Sequence, residues 1–185
     1  MRRLPLAVIA LVAVLLAHRA HRALDQIRFK DSESARIFLP SADALRVASM
    51  GYHTVTADLF WVRSVLTFSE IHANSTPADA RWLDSMLTTV AVLDPKWRTV
   101  YFHGGGMLRV CDSIHESDVL FERGMQNLPE EPYFPFSIGM NAYLYLKDLD
   151  RAAYYLDLAS QIPGAPPWYA SAAAAFLEED VGRQT

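Results

Sequence analysis

The chain has 185 residues, a formal net charge of −4 and a single cysteine, Cys111. Its charge is uneven: residues 1–30 hold six Lys/Arg and one Asp (+5), and residues 31–185 hold eleven Lys/Arg and twenty Asp/Glu (−9). That negative excess argues against nucleic-acid binding, and one cysteine excludes an intramolecular disulfide and any cysteine-rich zinc or haem motif. We expect Cys111 to be a small buried apolar residue.

The N-terminus begins with two arginines followed by fourteen uncharged residues, 4–17, a pattern typical of a signal peptide or signal anchor. Fourteen helical residues reach only about 21 Å, so a helix crossing the roughly 30 Å hydrocarbon core must extend into residues 18–24. The small residues that a signal-cleavage site needs are poorly placed. We therefore predict an uncleaved single-pass anchor over residues 1–24, a linker over 25–40 and an extracytoplasmic domain; secretion after cleavage is the alternative.

Residues 41–95 are expected to form an atypical helical region. Ser41 is a plausible cap for a short helix that ends before Gly51. A long apolar helix is predicted over residues 52–72, and Thr76 followed by Pro77 predicts the start of another. The apolar face of the long helix has positions three or four apart, at Val55, Leu59, Val62, Leu66 and Ser69, and is widened by Phe60 and Trp61.

The remainder of the chain also has the pattern of helices separated by short breaks. No segment of four or more residues shows the alternation of a strand, so the fold class is predicted to be all-α. The predicted helices lie near residues 97–111, 117–128, 134–147, 150–161 and 166–179.

A period of 34 residues runs through this region. Pro95, Pro129 and Pro163 each follow a predicted helix, and 34 residues separate each from the next. At the same offset Gly105 and Gly139 lie within helices, where glycine costs about 1 kcal/mol relative to alanine. We expect these glycines to admit close approach by the second helix of the same unit. The other aligned positions are Tyr101, Pro135 and Tyr169; Ala173; Phe121 and Tyr155; Leu128 and Ile162.

This pattern of a small residue in a first helix, an aromatic in a second helix and a terminal proline resembles the tetratricopeptide repeat (TPR). The segment Ala152-x3-Leu156-x2-Ala159 is also similar to the family motif, but it lies one residue out of the 34-residue register. The chain departs from the family where alanine is usual, at Ser117 or Arg151 and at Gly124 or Leu158. The resemblance implies two TPR-like units over residues 96–163 and a capping helix over 164–185, in a short helical-hairpin solenoid.

Catalysis, cofactor binding and metal binding are not expected. The string from His103 to Gly106 lacks the lysine of a phosphate-binding loop, so close helix packing explains it better. Cys111 and His115 are too few to hold a metal ion. The carboxylates resemble an ordinary solvated acidic face, and no catalytic set accompanies them.

Binding of a protein partner is therefore the expected function. Aromatic residues in a repeat groove often provide the strongest contacts, and Asp58 beside Arg63 in the apolar helix is either a structural pair or a contact to a partner. The candidate partner-binding residues are Tyr143, Tyr145, Tyr154, Tyr155, Asp58 and Trp61. We expect a membrane-tethered scaffold that is a subunit of an envelope complex; the alternative is a transient assembly factor or chaperone for a pilus, secretion or other membrane machine.

Overall fold

The computed structural model describes residues 18–19 and 40–184, and side chains as far as Glu178. Pro40–Thr185 form one compact unit. The predicted anchor and linker lie outside the described residues, apart from His18, Arg19 and Pro40. Within the described part of the chain, no helix is both long enough and apolar enough to span a membrane.

Residues 40–184 are built from eight α-helices and one π-helix, and no strand occurs among them, which confirms the predicted all-α class. Helix α5 starts three residues before the predicted position, and α8 continues beyond its predicted end. The elements are α1 (Ala42–Ala48), α2 (His53–Ile71), α3 (Pro77–Leu93), α4 (Arg98–Val110), α5 (Ile114–Asn127), α6 (Tyr133–Asn141), the π-helix (Ala142–Leu146), α7 (Leu149–Ser160) and α8 (Trp168–Gln184).

The helix boundaries follow from local sequence signals. The Ser41 side chain accepts a hydrogen bond from the backbone of Ala44 and caps α1. Thr76 and Asp79 form a reciprocal capping box at the start of α3, with Pro77 at the first helical position. At the other end of the helix pairs, Pro95 and Pro129 directly follow the last capping residue of α3 and α5. These boundaries were readable from the sequence because each depends on a few neighbouring residues.

Consecutive helices from α2 onwards pack against one another in chain order. In the α4–α5 pair the helices run in opposite directions: Tyr101, near the start of α4, lies against Gly124 near the end of α5, and Gly105 lies against Phe121. The core follows this chain of contacts. Its largest fully buried side chains are Tyr101, Phe121, Phe134, Leu83, Met86, Leu87, Leu108, Leu120, Ile138, Leu156, Val90 and Val100.

The two helix-interior glycines admit the second helix of their own pair, as predicted. A methyl group on Gly105 would overlap the Phe121 ring, and one on Gly139 would overlap the Leu156 side chain and lie 3.1 Å from the Ala152 carbonyl oxygen. The string of three glycines lies inside α4 and is not a loop. The three glycines differ, because a methyl group on Gly106 would meet only the end of the Arg109 side chain, at 4.0 Å.

The expected equivalence of Phe121 with Tyr155 is wrong. Leu156 packs on Gly139 as Phe121 packs on Gly105, so this part of the second pair runs at an offset of 35 residues rather than 34. The π-helix explains the extra residue, since a π-turn holds one residue more than an α-turn. The left-handed turn residues Asp112 and Lys147 are also 35 residues apart, whereas Pro129 and Pro163, after the second helices, are again 34 apart.

Candidate functional site

A continuous set of aromatic rings runs across α4, α6 and α8. We call Phe102, Tyr133, Phe136, Trp168 and Tyr169 the aromatic face. Phe102 stacks on Tyr133 with ring centres 4.1 Å apart. Phe136 stacks on Tyr169 at 4.6 Å and meets the edge of Trp168 at 5.4 Å. The rings come from the first helix of two successive pairs and from the helix that follows them.

Part of the aromatic face is reachable from solvent: Trp168 is 52% exposed and Phe102, Tyr133 and Phe136 are half-buried, whereas Tyr169 is buried beneath them. A partly exposed ring surface held in place by stacking is typical of the strongest contacts in protein interfaces. His103 is exposed next to it, with its ring 4.8 Å from Phe102.

Charged groups border the aromatic face at its α4 end. The Arg98 guanidinium lies 4.9 Å from the Phe102 ring centre and pairs with Glu131, which raises the pKa of Arg98. Lys96 donates a 2.6 Å hydrogen bond to the Asn127 carbonyl oxygen. An open cavity of about 470 Å³ lies here, and it is lined by Lys96, Arg98, Asn127, Leu128, Pro129, Glu130 and Glu131. The aromatic face thus has an apolar centre and a charged border, as protein interfaces commonly do.

The four predicted tyrosines occupy two separate places. Tyr143 stacks on Phe176 of α8, with ring centres 4.4 Å apart, and Tyr145 is 49% exposed. Tyr154 and Tyr155 meet edge to face on α7, and the Tyr155 hydroxyl donates to Glu122 of α5. Among the described residues, no ring contact joins the first two tyrosines to the last two.

The two predicted residues of α2 also differ in their surroundings. Asp58 is exposed. Trp61 is half-buried, meets Trp97 edge to face at 5.6 Å and packs against the core. Arg63 lies with its guanidinium 5.3 Å from the centre of the Trp82 ring. Asp58 is therefore open to solvent, whereas Trp61 joins α2 to the start of α4.

A buried polar network joins the two helix pairs beneath the surface. Asn141 donates to Asp118 at 2.7 Å and accepts from Arg109, and Arg151 donates to the other Asp118 oxygen at 2.9 Å. Burial raises the pKa of the Asp118 carboxyl, although Asn141 and Arg151 oppose that change. A buried carboxylate with an arginine and an amide as partners fixes how α4, α5, α6 and α7 meet.

The reactive side chains form no metal-binding cluster in the described part of the chain. No three His, Cys, Asp or Glu residues there are close enough to hold a metal ion. Cys111 is buried, and burial raises the pKa of its thiol, which disfavours the reactive thiolate. His115 lies on α5, whereas Cys111 ends α4, so the two do not share a helix face.

The aromatic face was missed in the sequence, although one signal for it was present. Phe102 and Phe136 are 34 residues apart, the same interval as the prolines. Neither Trp168 nor Tyr169 continues that series, because residue 170 is an alanine and Tyr169 aligns with Tyr101 and Pro135 instead. Nothing in the sequence shows which aromatic residues stay partly outside the core.

Comparison of the chain with models of known protein families gives no match, and comparison with curated proteins gives none either.

Proposed function

We propose that the protein is a membrane-tethered helical-repeat scaffold that holds a protein partner on its aromatic face, as a subunit of an envelope complex. The observation that carries this proposal is the stacked, partly exposed ring surface across α4, α6 and α8 with its charged border. The rings are ordered by their neighbours, so a partner can bind them with little loss of side-chain freedom.

The repeat part of the proposal is supported by the two matched helix pairs. Each pair has a glycine at the contact between its helices, a left-handed turn residue between them and a proline after the second helix. In a TPR-like solenoid the first helices of successive pairs line the concave side, which is the usual binding surface of such proteins. The aromatic face lies on α4 and α6, the first helices of the two pairs.

The membrane tether is supported by the sequence of the N-terminus. The apolar residues 4–17 with basic residues on both sides are typical of an anchor, and the positive charge suits an anionic membrane surface. With that anchor, the usual fate of the following domain is export, so we place it outside the cytoplasm. A reporter fused to the C-terminus tests this: activity of a reporter that works only outside the cytoplasm is expected, and activity of one that works only inside would contradict it.

Site-specific photo-crosslinking in living cells tests the partner surface. A photoreactive phenylalanine analogue replaces Trp168 of the aromatic face, His103 beside that face, Tyr154 on α7, or the exposed Ser85 on α3 as a control. We expect Trp168 and His103 to link to the same protein and Ser85 to link to none. Linking from Tyr154 but not from Trp168 or His103 would move the binding surface to the tyrosines of α7.

The yield of the partner separates a permanent subunit from a transient assembly factor or chaperone. The partner identified by crosslinking is quantified in a second experiment, in which the full chain is purified from detergent-solubilised membranes without crosslinking. A scaffold subunit retains it in near-equal amount. Recovery only when crosslinked would favour the transient role, and absence in both conditions would overturn the proposed function.

A further inference from the structure

Helix α2 has two apolar faces, and the described part of the chain buries only one of them. Ala57, Ser64 and Ile71, seven residues apart, are buried on the inner face. On the outer face five large apolar side chains remain mostly in solvent, one of them that of the N-cap residue Tyr52, which precedes the helix. We call them the apolar seam: Tyr52 (72% exposed), Val55 (55%), Leu59 (68%), Val62 (54%) and Leu66 (59%).

The apolar seam has the spacing of a coiled-coil heptad. Its residues are separated by three, four, three and four positions, so Tyr52, Leu59 and Leu66 take the a positions, and Val55 and Val62 take the d positions. A helix needs this repeat when it packs along another helix, because each a or d side chain then fits between side chains of its neighbour. The described part of the chain supplies no such neighbour for the seam, as its exposure shows.

The charged residues beside the apolar seam indicate whether a second helix packed on it would run parallel or antiparallel to α2. Asp58 takes the g position and Arg63 takes the e position five residues later, and both are exposed. In two parallel helices in register, a g residue faces the e residue five positions later on the other helix, so Asp58 would meet Arg63 of the second copy, twice by symmetry. In an antiparallel pair centred on the seam, Asp58 would instead lie near Val65 and Arg63 near Thr56.

We infer that the apolar seam pairs with the same seam of a second copy of this chain, in parallel and in register. This goes beyond the proposed partner on the aromatic face and does not depend on it. In a parallel pair the N-terminal ends of both α2 helices lie at the same end of the pair, which is compatible with two tethers in one membrane. Arg63 is exposed as a residue, and its guanidinium lies 5.3 Å from the centre of the Trp82 ring, beside the seam.

A lipid surface fits the seam less well. Helices that lie on membranes usually carry Lys and Arg along their polar side. Here Asp58 and Glu70 accompany Arg63, and residues 31–185 have a net charge of −9, which opposes binding to anionic lipids.

The mass of the purified full chain in detergent tests the pairing. We expect the wild-type protein complex to have at least twice the mass of one chain, and the double variant L59Q/L66Q to be a single chain. The control is V110Q/V119Q, which changes two exposed valines on α4 and α5 and should leave the mass unchanged. Circular dichroism checks that each variant keeps its helices.

Three results of that measurement would overturn the inference. The first is that the wild-type protein is a single chain at all concentrations, and the second is that L59Q/L66Q has the same mass as wild type. The third is that the wild-type chain purifies with an equal amount of a different protein and that L59Q/L66Q loses this protein. The second would show that another part of the chain associates, and the third that the seam belongs to a different partner.

Charge reversal tests the parallel register separately. D58R places arginine opposite Arg63 of the second copy and should weaken the association about tenfold, since two attractive pairs become repulsive. R63D should weaken it by a similar factor, and D58R/R63D should restore it. Equal association for D58R and wild type, or no recovery in the double variant, would overturn the parallel arrangement.

Discussion

The interior of the two helix pairs, α4 to α7, and the outer face of α2 use the same kinds of side chain in opposite ways. Between the pairs, Leu108, Leu120 and Phe121 are fully or almost fully buried, and glycines let the helices approach closely. On α2, Leu59 and Leu66 have equally regular helical spacing and remain more than half exposed. Regular apolar spacing therefore shows that a helix needs a neighbour, but not whether that neighbour belongs to the same chain.

Matched truncations of leucine test this contrast most strongly. Leu87→Ala should lower the free energy of unfolding by about 3 kcal/mol, because it leaves a cavity in a fully buried part of α3. Leu59→Ala, on the exposed seam, should change the stability of the single chain by less than about 0.5 kcal/mol. Urea unfolding in conditions where the protein is monomeric measures both, and equal losses would contradict the contrast.

The glycines of α4 give a second test within one helix. Gly105→Ala should destabilise the fold by about 3 kcal/mol, because the added methyl group overlaps the Phe121 ring. Gly106→Ala is the matched control. It should be neutral or stabilising by up to about 1 kcal/mol, because the site is open and alanine favours the helix. Thermal unfolding of the two variants provides the measurement, and similar losses in both would mean that the close approach at Gly105 is absent.

The buried network between the pairs should respond unequally to loss of its two charges. Arg151→Met removes the cation and leaves Asp118 buried with less compensation, so we expect a loss of about 2 kcal/mol. Asp118→Asn keeps a group that can hydrogen-bond and removes the buried negative charge, so its loss should be smaller. Chemical unfolding at neutral pH compares them; a larger loss in Asp118→Asn would show that the ion pair is more stabilising than its burial suggests.

The smallest predicted effect is a dependence of stability on pH. Burial raises the pKa of Asp118 in the folded chain above the ordinary value of 3.8, which applies to the unfolded chain. At a pH between the unfolded and the folded pKa, the folded chain therefore binds more protons than the unfolded chain. The free energy of unfolding contributed by this group therefore falls as the pH rises through that interval. As the pH rises through that interval, the free energy of unfolding of the wild-type chain should fall relative to that of Asp118→Asn. A relative gain with rising pH would indicate a lowered pKa.

The sequence predicted the helices well because their ends depend on local residues such as Ser41, Thr76 and Pro95. It also predicted why Gly105 and Gly139 lie inside helices. It could not predict the π-helix, since an extra residue in one turn has no local signature, and so Tyr155 was aligned where Leu156 packs.

The candidate site was harder to predict because exposure is decided by tertiary packing. Phe136 and Tyr155 are both aromatic residues in apolar segments, yet only Phe136 joins the stacked rings that span α4, α6 and α8. The regular spacing on α2 was recognised, but the prediction that Phe60 and Trp61 widen the same face is wrong. Phe60 and Trp61 pack against the core, whereas Leu59 and Val62 are exposed.

The most direct test of the central claim, that apolar surface left outside this fold is a contact with another chain, is disulfide formation at the seam. In full-length C111A protein in detergent, V62C should form a covalent dimer under mild oxidation, because identical d positions face each other in a parallel pair. S85C, exposed on α3, should remain a single chain. If V62C also remains a single chain, or links no faster than S85C, the two seams do not meet in that register.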